Sequence, residues 1–109
     1  MRRITYAGTW FDTGDDIAEA LLYYAKALAY NNVADTVAVP GRSATGDAGI
    51  VEVIIGPASQ IVSAPIEFVG ESFDDPAVIA ELERKTSSLQ PRRPLTEPEV
   101  STGGEAPLG

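Results

Sequence analysis

The chain has 109 residues, a formal net charge of −8, and neither histidine nor cysteine. This length allows one domain with a core large enough to fold unaided. Histidine is the commonest general base and metal ligand, and cysteine is the strongest ordinary nucleophile and a defining zinc ligand. Their absence excludes Ser-His-Asp and Cys-His catalysis, disulfide bonds and nearly all zinc chemistry. We therefore expect no metal and no cofactor, and we assign no catalytic residue.

The acidic charge also limits the partners. A surface of this sign repels nucleic-acid phosphates and anionic lipid, so we expect no nucleic-acid and no membrane partner. No apolar run approaches the eighteen or so residues of a membrane helix. The chain starts without the apolar core of a signal peptide, which favours a cytoplasmic protein.

Residues 2–11 predict a first strand, in which Ile4, Tyr6 and Trp10 alternate onto one face. Gly8 interrupts that row and indicates a bulge or a close approach to the backbone.

Residues 14–31 predict the first helix, with Thr13 as its N-cap and Asn31-Asn32 at its end. Apolar or small residues cover well over half of its circumference at 100° per residue. They form two neighbouring stripes: Ile17, Leu21, Tyr24 and Leu28, and then Ala18, Leu22, Ala25 and Ala29. One sheet face rarely covers so wide an arc, so a second element or a second copy of the chain is expected beside it.

The next segments predict three more strands. Residues 33–39 form a short strand that Pro40-Gly41 ends, and a polar loop follows. Residues 49–55 carry branched side chains on both faces, which is typical of a central strand. Residues 60–69 are extended, and Pro65 assigns part of that run to a sheet edge or a bulge.

Asp75-Pro76 opens a second helix that runs to about Ser88. Val78, Ile79 and Leu82 mark its buried face, and Glu81 with Lys85 is spaced for an ion pair. From Gln90 the chain is rich in proline, glycine and glutamate, so residues 90–109 predict a disordered tail behind a compact domain of residues 1–89.

This element order predicts an α+β, β-α-β-β-β-α two-layer sandwich, with a mostly antiparallel four-stranded sheet and two helices on one face. The β-α-β start makes the first two strands parallel if they share the sheet. No motif in the sequence resembles that of a known family, and a fold by itself does not determine a function.

Two groups of side chains are candidate binding residues. Trp10 and Asp12 stand close to Asp15 and Asp16 at a strand-to-helix junction, where oxygen ligands could hold a hard cation. Helix capping explains the aspartates more simply. Tyr23 and Tyr30 share the exposed side of the first helix and are candidate anchors for a partner.

We therefore expect a non-enzymatic protein-interaction module that acts as a homodimer. The small-residue flank of the first helix, Ala18, Leu22, Ala25 and Ala29, is the predicted dimer interface, because an exposed apolar flank marks an interaction surface. The alternative is a small-molecule binder or a carboxylate-based enzyme with a cleft near Trp10 and Asp12.

Overall fold

The computed structural model describes residues 1–67 and 73–89, so the predicted tail lies outside the described residues. Over these described ranges, five strands and two helices follow one another as β1 Arg2–Tyr6, β2 Thr9–Thr13, α1 Asp15–Tyr30, β3 Asp35–Ser43, β4 Ala48–Ile55, β5 Ile61–Pro65 and α2 Pro76–Leu89. In these residues neither helix has the length and hydrophobicity needed to cross a membrane.

The strands form one antiparallel sheet in the order β4-β3-β2-β1-β5. The α+β class is therefore confirmed. The predicted four-stranded sheet and the β-α-β-β-β-α order are wrong, because the first predicted strand is in fact a hairpin. The predicted parallel pair is absent from the described sheet for the same reason: every neighbouring pair runs antiparallel.

The missed hairpin turns at Ala7 and Gly8, which both have positive φ, 53° and 80°. Two-residue hairpin turns with this backbone usually carry Asn-Gly or Asp-Gly, so Ala-Gly gives only a weak signal. Tyr6 pairs with Thr9 across the turn. This register places Trp10 on the face opposite Ile4, not on the same face as predicted, and turns Phe11 into the core.

Strand β3 continues through Pro40-Gly41 instead of ending there. The Pro40 carbonyl accepts a hydrogen bond of 2.7 Å from the Thr13 hydroxyl. The Pro40 nitrogen points to the same side, where β2 has already ended, so the missing N–H costs no bond in the ladder. A Cβ at Gly41 would lie 2.4 Å from the Asp12 carbonyl oxygen, which explains the glycine.

Strand β4 was expected at the centre of the sheet and lies at its edge, so that prediction is wrong. Its inner face packs Val53 and Ile55 into the core, whereas Ile50 and Ile54 on its outer face are 69% and 62% exposed. Branched residues occur on both faces of β4 although only one face is covered. For residues 60–69 the sequence left a sheet edge or a bulge as alternatives, and β5 lies at the edge.

Both predicted helices are present within about one residue of their expected bounds. Asn31 is the C-cap of α1, and Asn32 follows with a φ of 56°. Thr13 is not its N-cap; that position is Gly14, without a side-chain cap bond. Asp74, two residues before α2, instead accepts hydrogen bonds from the backbone N–H groups of Asp16 and Ile17. The cap therefore comes from a distant part of the chain.

Helix α1 is the centre of the core. Its buried residues are Ile17, Ala18, Ala20, Leu21, Tyr24, Ala27 and Leu28. The inner face of the sheet covers one side of this surface. Helix α2 covers another, with Leu82 buried and Val78 and Ile79 packed against the core. Burying one large aliphatic side chain stabilises a fold by roughly 1.5–3 kcal/mol, so each large side chain under this double cover contributes on that scale.

The predicted ion pair between Glu81 and Lys85 does not form. Glu81 pairs with Arg84 at 2.6 Å, and Lys85 reaches across to Asp35 on β3 at 3.2 Å. Helix α2 is thereby tied to the sheet by charge as well as by packing.

The facing pair Gly41 and Gly49 provides a matched test of the strand arrangement. Gly41→Ala should lower the stability by about 2 kcal/mol or more, because the new methyl group meets backbone that cannot move away. Gly49→Ala has open space and should stay within about 0.5 kcal/mol of the parent. Denaturant unfolding measures both. Equal stability of the two variants would contradict the close approach of β2 and β3.

Candidate functional site

The predicted site around Trp10 and Asp12 lies on the outer face of the sheet and is filled by Arg3. The Arg3 guanidinium donates to both carboxylate oxygens of Asp12, at 2.9 Å and 3.2 Å. The same group stacks 3.7 Å from the centroid of the Trp10 ring. The hydrogen bond to Asp12 raises the pKa of Arg3 further above its ordinary value. Because Asp12 is only 5% exposed, its carboxylate is committed to this contact.

The predicted acidic cluster does not converge. Asp15 pairs with the N-terminal ammonium group at 2.8 Å, and Asp12 points to the opposite side of the sheet from the helix that begins with Asp15. Among the described residues, no three acidic side chains are arranged to hold a metal ion. Asp15 and Asp16 act at the helix start, where negative charge favours the positive end of the helix dipole.

Tyr23 and Tyr30 are both exposed, 59% and 76%, as expected for partner anchors. Tyr23 lines a groove of about 690 Å³ between α1 and α2, whose floor includes Ala20 and Ile79. The Tyr30 ring lies 5.9 Å from the Lys26 ammonium nitrogen. Tyr30 lines a neighbouring depression with Thr86 and Leu89 of α2, so both tyrosines stand on the side of α1 where α2 packs.

The four residues of the predicted dimer interface differ in exposure. Ala18 is fully buried in the core, Leu22 and Ala25 are half-buried, and Ala29 is exposed. Leu22 borders a depression with Arg2 and Ser63, on the side of β1 and β5. The sheet and α2 of the same chain thus bury most of the wide apolar arc of α1. The interface at these residues stays a prediction.

The most exposed apolar side chains of the sheet belong to its outer face, which the sequence pattern did not single out. Ile50 and Ile54 stand on β4, and Val62 on β5 is 60% exposed. Glu52 lies between the two isoleucines and is the only charged side chain of β4. In the described residues both helices pack on the inner face, so this outer surface is open to solvent.

The free edge of β4 adds unpaired backbone groups to that surface. Ser43 bonds through its N–H to Asp47, and the Pro40 carbonyl faces β2. The direction of the backbone N–H and C=O groups alternates from one residue of a strand to the next. In β4 the backbone groups of the odd-numbered residues therefore point toward β3. The N–H and C=O groups of Ala48, Ile50, Glu52 and Ile54 therefore point away from β3. Among the described strands, β3 is the only one that pairs with β4.

One of these outward groups is already used. The Tyr6 hydroxyl, from the hairpin between β1 and β2, donates to the Ile54 carbonyl. The sheet is coiled strongly enough to bring this end of β4 to the β1–β2 turn. The residues whose outward N–H and C=O groups are both free of a bond within the described residues are thus Ala48, Ile50 and Glu52, because the Ile54 carbonyl is occupied.

A partly exposed polar contact ties α1, β3 and α2 together. The Tyr24 hydroxyl donates to Asp35 at 2.5 Å, and Lys85 donates to the same oxygen at 3.2 Å. Burial, together with the hydrogen bond to Asp35, raises the pKa of Tyr24 to about 12. The Tyr24 hydrogen bond, aided by Lys85, holds the pKa of Asp35 below its ordinary value. These three side chains join α1, β3 and α2, and they make no contact with the outward edge of β4.

Comparisons with protein-family models, with curated proteins and with solved structures give no match for this chain.

The lowered pKa of Asp35 predicts a pH dependence of stability. In the unfolded chain the pKa of Asp35 is about 4, and in the folded chain it is lower. The carboxylate therefore stabilises the fold above the unfolded pKa, and this contribution is lost as the pH falls through the folded pKa. Asp35→Asn should therefore lower the melting temperature at pH 7, and the difference from the parent should shrink below about pH 4. The control is Glu67→Gln, an exposed carboxylate beyond β5. A difference that is constant from pH 7 to pH 2 would contradict the ion pair.

Proposed function

We propose that the protein is a non-enzymatic protein-interaction module that acts as a homodimer. The observation that carries the proposal is β4, an eight-residue edge strand with two exposed isoleucines on its outer face. Exposed apolar side chains beside unpaired backbone groups are typical of a surface that associates with another chain.

The chemistry of the other candidate site supports the same choice. A carboxylate that acts as acid, base or nucleophile must reach its substrate. Asp12 is buried and held by both of its oxygens, and the face of Trp10 is covered by Arg3. A small molecule at this position would have to displace Arg3 from two favourable contacts at once. The interaction surface requires no such rearrangement.

Homodimers are the commonest assembly of soluble proteins, and a two-fold axis joins the same patch on both copies. A patch centred on one strand edge suits this symmetry, since antiparallel pairing is itself two-fold symmetric. Each copy of the chain has a net charge of −8, so most of the surface of one copy repels a second copy. The contact is therefore expected at an apolar region such as the outer face of β4.

Light scattering on the protein eluted from a sizing column tests the proposal. At about 100 µM, far above the dissociation constant of an ordinary specific interface, the measured mass should be twice the chain mass of 11.5 kDa. The mass should fall toward that of one chain on serial dilution. A single chain mass at about 100 µM would contradict the homodimer.

A further inference from the structure

We infer that two copies pair through their β4 edges as antiparallel strands, with Ile50 facing Ile50 of the second copy on the two-fold axis. The result is one continuous sheet across the dimer. This inference rests on the proposed function and names the surface and register that would carry it.

The β4 edge lacks the features that keep natural edges from pairing. Such features include proline, lysine, a bulge or a very short strand. β4 has eight residues, with no proline, no lysine and one charge. It pairs with β3 residue for residue from Asp35↔Ile55 to Arg42↔Ala48, without a bulge. The other edge strand, β5, has five residues and ends at Pro65, so it is protected.

The unpaired groups of β4 select one register. Ala48, Ile50 and Glu52 have outward backbone groups, and the Ile54 carbonyl is already bonded to Tyr6. Only one antiparallel register pairs these three residues with the same three of a second copy: Ile50 faces Ile50, and Ala48 faces Glu52. Every outward N–H and C=O of the free segment then has a partner.

Side-chain chemistry favours the same register. Shifting the strands until Glu52 faces Glu52 would bring two carboxylates together, which is destabilising. In the inferred register two isoleucines meet on the outer face, where each is now 69% exposed. Glu52 faces the small Ala48 of the second copy, and the next residue in that row, on the neighbouring strand, is Arg42. No like charges therefore face each other across the interface in this register.

Ile50 and Ile54 provide a matched pair of variants. They lie on the same face of the same strand with similar exposure, but only Ile50 belongs to the inferred contact. Ile50→Lys places two ammonium groups opposite each other, about 5.5 Å apart at the Cα atoms, and should weaken the dimer at least tenfold. Ile54→Lys should leave the dimer intact. Circular dichroism and thermal melting verify that both variants are folded.

The outcomes separate this inference from the proposed function. If the parent chain is monomeric at about 100 µM, the homodimer itself fails. If the parent is dimeric and Ile50→Lys dimerises equally well, the homodimer stands and the β4 pairing is overturned. Dissociation by Leu22→Glu alone, with Ile50→Lys still dimeric, would overturn it in favour of the α1 flank.

A cross-linking experiment tests the register directly. The chain has no cysteine, so one introduced cysteine reacts only with its counterpart. Facing residues of antiparallel strands have Cα atoms about 4.5–5.5 Å apart, which a disulfide can span. Ile50→Cys should give a covalent dimer with oxidised glutathione. Two copies of residue 54 would be about 27 Å apart along the strands, so Ile54→Cys should not. Equal cross-linking of both variants would overturn the register.

Discussion

The apolar surface of α1 is the constraint on which the rest of this fold depends. Residues that must leave water occupy most of its circumference, from Ile17 and Leu21 to Tyr24 and Leu28. A flat sheet covers one side of a helix, so the strands coil around it and α2 packs on a further side. The Asp74 cap, the Tyr24–Asp35 hydrogen bond and the Lys85–Asp35 ion pair then join the helices to each other and to β3.

Because both helices pack on one face of the sheet, they leave its other face and the β4 edge uncovered among the described residues. The helices pack on the inner face of the sheet, and in the part of the chain that the structure describes Ile50 and Ile54 on the outer face stay exposed. Coiling also brings the end of β4 to the β1–β2 turn, where Tyr6 bonds to the Ile54 carbonyl. The rest of the edge has no such closure among the described residues. A surface of apolar side chains and unpaired peptide groups is thus produced by the way the core is built.

Local signals in the sequence predict the bounds of the helices well, since residues such as Asn31 and the Asp75-Pro76 pair stand at their ends. The N-terminal cap of α1 is the exception, because it comes from the distant Asp74. The sheet depends on non-local pairing and is predicted less well. Ala7-Gly8 is an unusual turn, so the first hairpin looks like one strand, and Trp10 is then assigned to the wrong face. The contact between Arg3 and Asp12 exists only in that hairpin register. Similarly, β4 contains no proline of the kind that marks β5 as an edge strand, so the exposure of Ile50 was not expected.

The most direct test of the account is the exchange of individual backbone amides with solvent deuterium, followed by NMR at high and at low protein concentration. The amides of Ile50 and Glu52 point away from β3, which among the described strands is the only one that pairs with β4. The account predicts that both are protected in the concentrated, dimeric protein and exchange rapidly on dilution, whereas the amides of Val51 and Val53 stay protected throughout. Rapid exchange at Ile50 and Glu52 in a protein that is dimeric by mass would contradict it.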